Sequence, residues 1–462
     1  MTRPLSGIRV VDMSRVFAMP YCGAYLADLG AEVIKVESSH SRFMETTRLT
    51  NAPFPDNDPG ERWWERNGTF QTLNRGKRSL TLDFRSEEAL AILKRLVAVS
   101  DVVLENFTPR VMRRFGLDYP NLKAVKPDLI MVSNTGFGHS GPWSSFGAMA
   151  SSLEPTHGTG AFMGYLEPDA NGRLGPGSVP NKVGNSYTDF LATWTALFGV
   201  MACLVHRRRT GAGNWIDLAM YQVGVSFVGA GLLDFAFNGR RGRRPGNRHP
   251  AMAPHGCYPC KGPDEWVTLA VRDDTEWQSL CRVLGRPSLA SDPRFADLLA
   301  RIENHDALDA VISDWTSPRG QYEAARELQA AGIPAGPVLN ARSMMSDPHL
   351  RARGFFEAAA HPPETGIGPR EYMGRGWKLS QAAPRIGRPA PMLGEANDYA
   401  LRQVLGLSAG EIDALKAADV VGDAPVGGGP PGTVPLDRQV DLGWLVDHDP
   451  DYKGHPEDST TG

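Results

Sequence analysis

The chain has 462 residues, and 49 Lys and Arg against 52 Asp and Glu leave a formal charge of −3, which disfavours sequence-independent nucleic-acid binding. Hydrophobic content of 41% and charged content of 22% exclude the disordered class and suit a globular enzyme of several domains. Five cysteines, odd and sparse, argue against a disulfide framework, and no run of 18 apolar residues occurs, so the expectation is a cytoplasmic protein with no membrane partner.

In chain order, Ile8–Met13 reads as a buried strand, Pro20–Gly30 as a helix closed by glycine, and Ala31–Val36 as a second strand. Strand, helix, strand in about 30 residues is a βαβ unit and predicts a parallel sheet. The pattern resumes with strands at Ser79–Asp83, Asp101–Glu105 and Leu129–Ser133, and a helix over Glu87–Ser100. Gly147–Gly184 is rich in Gly, Ser and Pro, like loops over a site, and Thr188–Arg209 is a long apolar helix ending in basic residues and Gly211. Trp215–Ala219 follows as a strand. Further strands and helices are predicted at Trp266–Val271, 274–284, 319–331 and Ala409–Ala418.

Composition breaks divide the chain. The first large-domain part is 1–225, a linker 226–247, and a small domain 248–331. Residues 332–421 are a second linker and the C-terminal part of the large domain, and 422–462 a Gly/Pro linker with a polar, separable tail.

Most of the conspicuous chemistry has a plain reading. Cys257-Tyr-Pro-Cys260 lacks the second pair that a zinc site needs and does not open a helix, so no metal is expected. The Arg240–Arg244 cluster reads as a solvated linker or an anion contact, and His139, His157 and His255 lack ligand spacing. G-x-S-x-G, the P-loop and G-x-G-x-x-G are absent. Asp189 stands apart, at the start of the long apolar helix after Gly184-Asn-Ser-Tyr-Thr. It reads either as a helix cap or as a carboxylate nucleophile in a Gly-rich cleft.

The order of motifs settles the weight between them. Leu5-Ser-Gly-Ile-Arg-Val-Val-Asp-Met-Ser-Arg-Val16, Leu26-Ala-Asp-Leu-Gly-Ala-Glu-Val-Ile-Lys-Val-Glu37, Asn74-Arg-Gly-Lys-Arg-Ser-Leu-Thr-Leu-Asp83 and Val103-Leu-Glu-Asn-Phe-Thr-Pro109 are followed by four more. These are Ser133-Asn-Thr-Gly-Phe-Gly138, His206-Arg-Arg-Arg-Thr-Gly-Ala-Gly213, Gly332-Ile-Pro-Ala-Gly-Pro337 and Pro389-Ala-Pro-Met-Leu-Gly-Glu395. In that order they resemble a class III coenzyme A transferase of the CaiB/BaiF type, relatives of formyl-CoA transferase, crotonobetainyl-CoA transferase and α-methylacyl-CoA racemase, from Pro4 to about Val421.

The resemblance implies an α/β fold: a Rossmann-like large domain built from both chain ends, a small central α/β domain, and an interlocked homodimer. It implies a CoA-transferase moving CoA from an acyl-CoA to a free carboxylic acid, through an aspartyl anhydride and an enzyme-CoA thioester. No tightly bound cofactor is implied, because acyl-CoA is the substrate. The nucleophile falls on Asp189, eighteen residues ahead of Arg207, within a Tyr-Thr-Asp variant tied to the branch acting on larger or dicarboxylic acids. CoA contacts carry over to Phe17, Ala18, Asn74, Arg75, Lys77, Arg78, Asn106, Phe107, Arg114, Thr135, Gly136 and Phe137. Phe17 and Ser38 depart from formyl-CoA transferase, which has a polar residue and an Arg there, so the phosphates are expected at Arg42, Lys77 and Arg78. The alternatives are a racemase or isomerase of the same fold and a non-catalytic CoA-binding protein. Racemase relatives carry Gly-His-Asp where this chain reads Phe146-Gly-Ala-Met-Ala-Ser-Ser152.

Overall fold

Consecutive apolar residues in a strand face opposite ways, so a strand such as Val10-Val11 can serve two cores at once. The computed structural model, which describes residues 3–40, 53–165, 183–184, 187–242, 244–450 and 452, is built on that alternation. Strands β1 (Arg9–Asp12), β2 (Glu32–Glu37), β3 (Arg78–Thr81), β4 (Val102–Glu105), β5 (Ile130–Thr135) and β6 (Asn214–Ala219) form one sheet, ordered β3-β2-β1-β4-β5-β6. Every neighbouring pair is parallel, with Val11 beside both Ile34 and Val103. On one face Val11, Ile34, Leu80, Val103 and Met131 pack with Leu93 and Leu96, and with Leu401, Ile412, Val420 and Val421 from the far end of the chain. On the other, Val10, Val33, Leu104, Ile130 and Val132 pack with Cys22 and Leu26 and with Ala192, Ala196 and Val200.

Helix α1 (Ala18–Asp28) follows β1 and is buried along its whole length. It ends at Gly30, whose φ of +103° suits a residue without a Cβ. Helices α2 (Gly68–Asn74) and α3 (Glu87–Ala98) precede and follow β3, and the Ser86 side chain caps α3 by accepting from Glu88 and Ala89. Helix α4 (Ala150–Thr156) lies inside the stretch read as loops, because Ala150 and Leu153 bury into the second core. Helix α5 (Tyr187–Thr210) is long and apolar enough to cross a membrane, with a mean hydropathy of 1.6. In this fold one side of it is core, and its last turn carries Arg207, Arg208 and Arg209.

The chain divides into two units. One comprises Met1–Thr159, Val183–Ala230 and Pro348–Gly462, and the other Gly160–Lys182 and Gly231–Asp347. The first holds the parallel sheet and an antiparallel pair, Phe356–Ala360 with Pro369–Met373. The second holds a three-stranded antiparallel sheet of β7 (His255–Pro259), β8 (Trp266–Ala270) and β9 (Ala335–Pro337), packed with Trp277, Leu308, Ile312 and Leu328. Cys257 is therefore inside a strand.

The segment 226–247 is more structured than its glycines and arginines suggest. After α6 (Met220–Phe227) it carries α7 (Gly229–Asn238), none of whose residues is buried; Leu232, Leu233, Phe235 and Phe237 are all exposed. The segment after Val421 is pinned as well. Gly422 exchanges backbone hydrogen bonds with the Thr81 hydroxyl, Val426 N–H donates to Ser39 O, and Asn57 Nδ2 donates to Val434 O. A short helix, Leu436–Asp441, follows.

Candidate active site

In a parallel sheet of this strand order the chain leaves β1 and β4 in opposite directions, opening a crevice at their carboxyl ends where ligands bind. A cavity of about 450 Å³ lies there. Val16 and Phe17 follow β1, Asn106 and Phe107 follow β4, and Asn134–Phe137 end β5; with Asp189 they form the wall. The sequence-identified Phe17, Asn106, Phe107, Thr135, Gly136, Phe137 and Asp189 are thus brought together. Ala18 is the first residue of α1, and its backbone N–H donates to the Asp189 carboxylate. A side chain at Gly136 would meet the Ala148 Cβ at 2.3 Å, which ties this wall to glycine.

Asp189 is the third residue of α5, and it takes its hydrogen bond from a different helix, α1. Among the described residues its partner thus lies on another helix and not on its own. Two helix N-termini therefore face one carboxylate, which favours the anion. Burial outweighs them: desolvation pushes Asp189 up to about 7, opposed by the Ala18 N–H and reinforced by the charge of Glu154. Phe17 and Phe190 close over this end with ring centroids 5.0 Å apart. Thr193 Oγ1 donates to Ala18 O at 2.8 Å and to Asp189 O at 2.9 Å, locking α1 to α5.

Two features here were not legible in the sequence. Val16 has φ +66°, a left-handed conformation costly for a β-branched residue, and stands 67% exposed on the wall. Glu154, on α4, is buried with neither carboxylate oxygen hydrogen-bonded among the described residues. Neither a backbone sign nor a buried orphan leaves a mark in a residue pattern.

Other expected contacts lie elsewhere. Lys77 is fully buried and donates to Asp12 (2.5 Å), Pro20 O (2.7 Å) and Asn74 Oδ1 (2.9 Å). Burial disfavours the Asp12 charge, but Lys77 and Lys35 more than offset this and hold Asp12 below its usual range. Arg75 is also fully buried, paired with Asp28 at 2.9 Å and stacked on Tyr21 and Tyr25. Asn74, Arg75 and Lys77 therefore do not line the cavity: the charges of Arg75 and Lys77 and the Asn74 amide are consumed inside the fold. Arg78 faces Glu32 at 3.8 Å and the Tyr399 ring. Arg114 is exposed over Phe115. Arg42 lies outside the described residues.

Phe107 also borders a second hollow of about 350 Å³, with Arg15, Ser38, His40 and Arg85 on its rim. Arg15 sits over the Phe107 ring at 5.6 Å. A larger hollow, about 780 Å³ and lined by Phe54, Arg66, Tyr372 and Gln439, contains none of the expected residues. His157 is buried and bonds Thr188 and Thr159, away from the cavity wall. The five cysteines are unpaired, burial raises Cys257 and lifts Cys260 to about 11, and no metal-binding cluster exists among the described residues.

Residues 5–397 match the CoA-transferase family III. The chain is 33% identical over 404 residues to a succinate–glutarate CoA-transferase of Agrobacterium fabrum, covering 87% of this chain and 96% of that one. It is 32% identical over 425 residues to a succinyl-CoA–D-citramalate CoA-transferase of Chloroflexus aurantiacus (91% and 98%). It is 33% identical over 401 residues to a succinyl-CoA:mesaconate CoA-transferase of Haloarcula hispanica (85% and 94%). The crystal structure of a CaiB/BaiF family protein from Brucella suis superposes with a TM-score of 0.75 at 32% identity, covering 88% of this chain and all of that one. A parallel α/β sheet with an aspartate at its crevice, matched along nearly the whole chain, makes this protein a CoA-transferase of family III.

Proposed function

We propose that Asp189 carries CoA between two carboxylic acids. Its carboxylate oxygen attacks the thioester carbonyl, the C–S bond breaks, and CoA leaves as thiolate from a mixed anhydride. The thiolate adds to the Asp189 carbonyl and expels the donor acid, leaving an enzyme-CoA thioester. The acceptor carboxylate attacks that thioester and releases the thiolate. The thiolate then takes the acceptor acyl group from the new anhydride and frees Asp189. No net proton moves. The Ala18 N–H and the N-termini of α1 and α5 stabilise the oxyanion on the Asp189 side. Phe17, Phe107 and Phe137 keep water from the anhydride.

The observation that carries this reading is Asp189 itself, a carboxylate buried in the crevice and bonded across to α1. Pantetheine and the acyl group occupy the 450 Å³ cavity, and the CoA phosphates the neighbouring hollow near Arg15, His40 and Arg85, in place of Lys77 and Arg78. Succinyl-CoA is the donor and a short dicarboxylic acid the acceptor, on the likeness to the named relatives. Among the described residues this wall has no Lys, Arg or His, so the distal carboxylate is held by neutral donors such as Thr69, Asn134 and Ser151. The protein works as a homodimer whose contact uses the exposed apolar faces of α5 and α7, and five unpaired cysteines support a cytoplasmic site.

The test is Asp189→Asn, assayed with succinyl-CoA against glutarate, citramalate, mesaconate and a wider acid panel. The variant should fold and lose activity on the order of 10³-fold or more. Hydroxylamine added during wild-type turnover should modify the peptide holding Asp189. An active variant, or a label elsewhere, refutes the assignment.

A further inference from the structure

The two strand-end loops that wall the cavity meet again behind it. Glu105 is the last residue of β4 and is fully buried. Its Oε2 accepts the Phe107 N–H at 2.8 Å, fixing the turn that presents Asn106 and Phe107 to the cavity. His139 ends the opposite loop, just beyond Thr135–Phe137, and its N–H donates to the Asp217 carboxylate at 3.1 Å. Glu105 Oε1 and His139 Nε2 face each other at 4.0 Å, both buried and both without a hydrogen-bond partner among the described residues. A chamber of about 210 Å³ adjoins them, bounded also by Ser133, Tyr119 and Trp215, roomy and polar enough for water. Two orphaned groups of complementary chemistry, aimed at one another, call for a reason.

We propose that Glu105 and His139 form a proton-controlled clasp that draws the two cavity loops together and so sets the affinity for CoA. The gap is too long for a hydrogen bond and closes by about 1 Å of side-chain movement or through one water. Ionised Glu105 accepts from Phe107 N–H, from the Ser133 hydroxyl and, once closed, from the imidazole, all charge-assisted bonds. Protonated Glu105 gives up that acceptor strength and the loops part. Glu105 is the group that titrates: burial lifts it to about 7, opposed by Ser133 and the Phe107 N–H and reinforced by the charge of Asp217. His139 stays neutral, because burial lowers it, with Arg113 acting the same way and Asp217 and Asp118 opposing. Glu105 and His139 are positioning residues, since neither lines the cavity.

The inference rests on the assignment of this cavity to CoA, so the experiment separates the two. Binding of 3′-dephospho-CoA, which lacks the phosphate that titrates near pH 6, is measured by calorimetry at pH 6 and pH 8 on full chains that all carry Asp189→Asn, which removes the other carboxyl titrating near 7 on this wall. Wild type here means unchanged at every other position. Wild type should bind at least about fivefold tighter at pH 8, and Glu105→Gln, isosteric but uncharged, should bind equally at both and near the wild-type pH 6 value. If Glu105→Gln fails to fold, His139→Ala carries the same expectation. His139→Gln, which keeps a neutral donor, should retain the pH dependence. Ser151→Trp, which fills the cavity from an exposed position, should abolish binding at both pH values. Loss of binding in Ser151→Trp with pH dependence intact in Glu105→Gln or His139→Ala overturns the clasp alone. Unimpaired binding by Ser151→Trp overturns the cavity assignment and the clasp with it.

Discussion

Asp189 has to be hidden from water and ionised at once, and burial sets those demands against each other. Its carboxyl lies up near 7, so kcat/KM should rise with pH through about 7 on the acid side, as the attacking anion forms. The stability consequence has a definite sign. A carboxyl raised in the fold contributes its stability below its unfolded value near 4 and loses it as pH rises through 7. Asp189→Asn should therefore melt above wild type at pH 8, with the advantage vanishing toward pH 4, while activity is lost. If Asp189 were only a structural cap, Asn would cap equally well and turnover would stay near normal. Val16 makes a similar trade in the backbone. Val16→Gly should relieve the left-handed strain and stabilise the protein by about 1 kcal/mol, while kcat/KM falls as the Phe17 wall loosens. A urea melt beside a rate assay decides it, and a variant both more stable and equally fast would refute it. Asp189 could be singled out because the resemblance places it by a count back from Arg207, which the sequence alone supplies. Val16 and Glu154 were not, since a positive φ and an unpartnered burial arise only when the loops close.

At the scale of elements, the strand-helix-strand alternation was readable because its period changes from 2 to 3.6 within a few residues. Helices α4 and α7 were missed for opposite reasons: α4 is short and set in Ser- and Gly-rich sequence, and α7 runs into an arginine cluster that dominates its composition. The Asn74–Asp83 motif was read for contact, whereas its cations brace α1. Lys77 holds Asp12 at the end of β1 and Pro20 O in the first turn of α1, so it fixes the turn from which Ala18 reaches Asp189. Lys77→Met should leave buried Asp12 without the cation bonded to it, with only Lys35 nearby, and cost about 3–5 kcal/mol in a urea melt. Arg78→Ala, removing a half-exposed pair with Glu32, should cost under about 0.5 kcal/mol and leave CoA affinity within twofold. A larger loss of affinity in Arg78→Ala would return the phosphates to that residue.

At the scale of the molecule, ending the chain at Asp423 should leave a folded, active enzyme, because Val420, Val421 and the Gly422 bonds to Thr81 are retained. It would lose the Val426 bond to Ser39 and the Asn57 bond to Val434, so its melting point should drop by about 2–5 °C. Aggregation would show that the pinned tail is indispensable. Ending before Leu401 is another matter, because that residue and Ile412 belong to the first core. A ribosome releases all six strands by Ala219 but reaches Leu401 only on the order of ten seconds to half a minute later at about 5–20 residues per second. Throughout that interval Val11, Ile34, Leu80 and Val103 lack part of their cover, while the second unit emerges and folds from its own local contacts. A nascent or stalled chain of this protein is therefore a natural client for chaperones that bind exposed apolar sheet, and a premature stop codon anywhere before Leu401 is as damaging as one near the start.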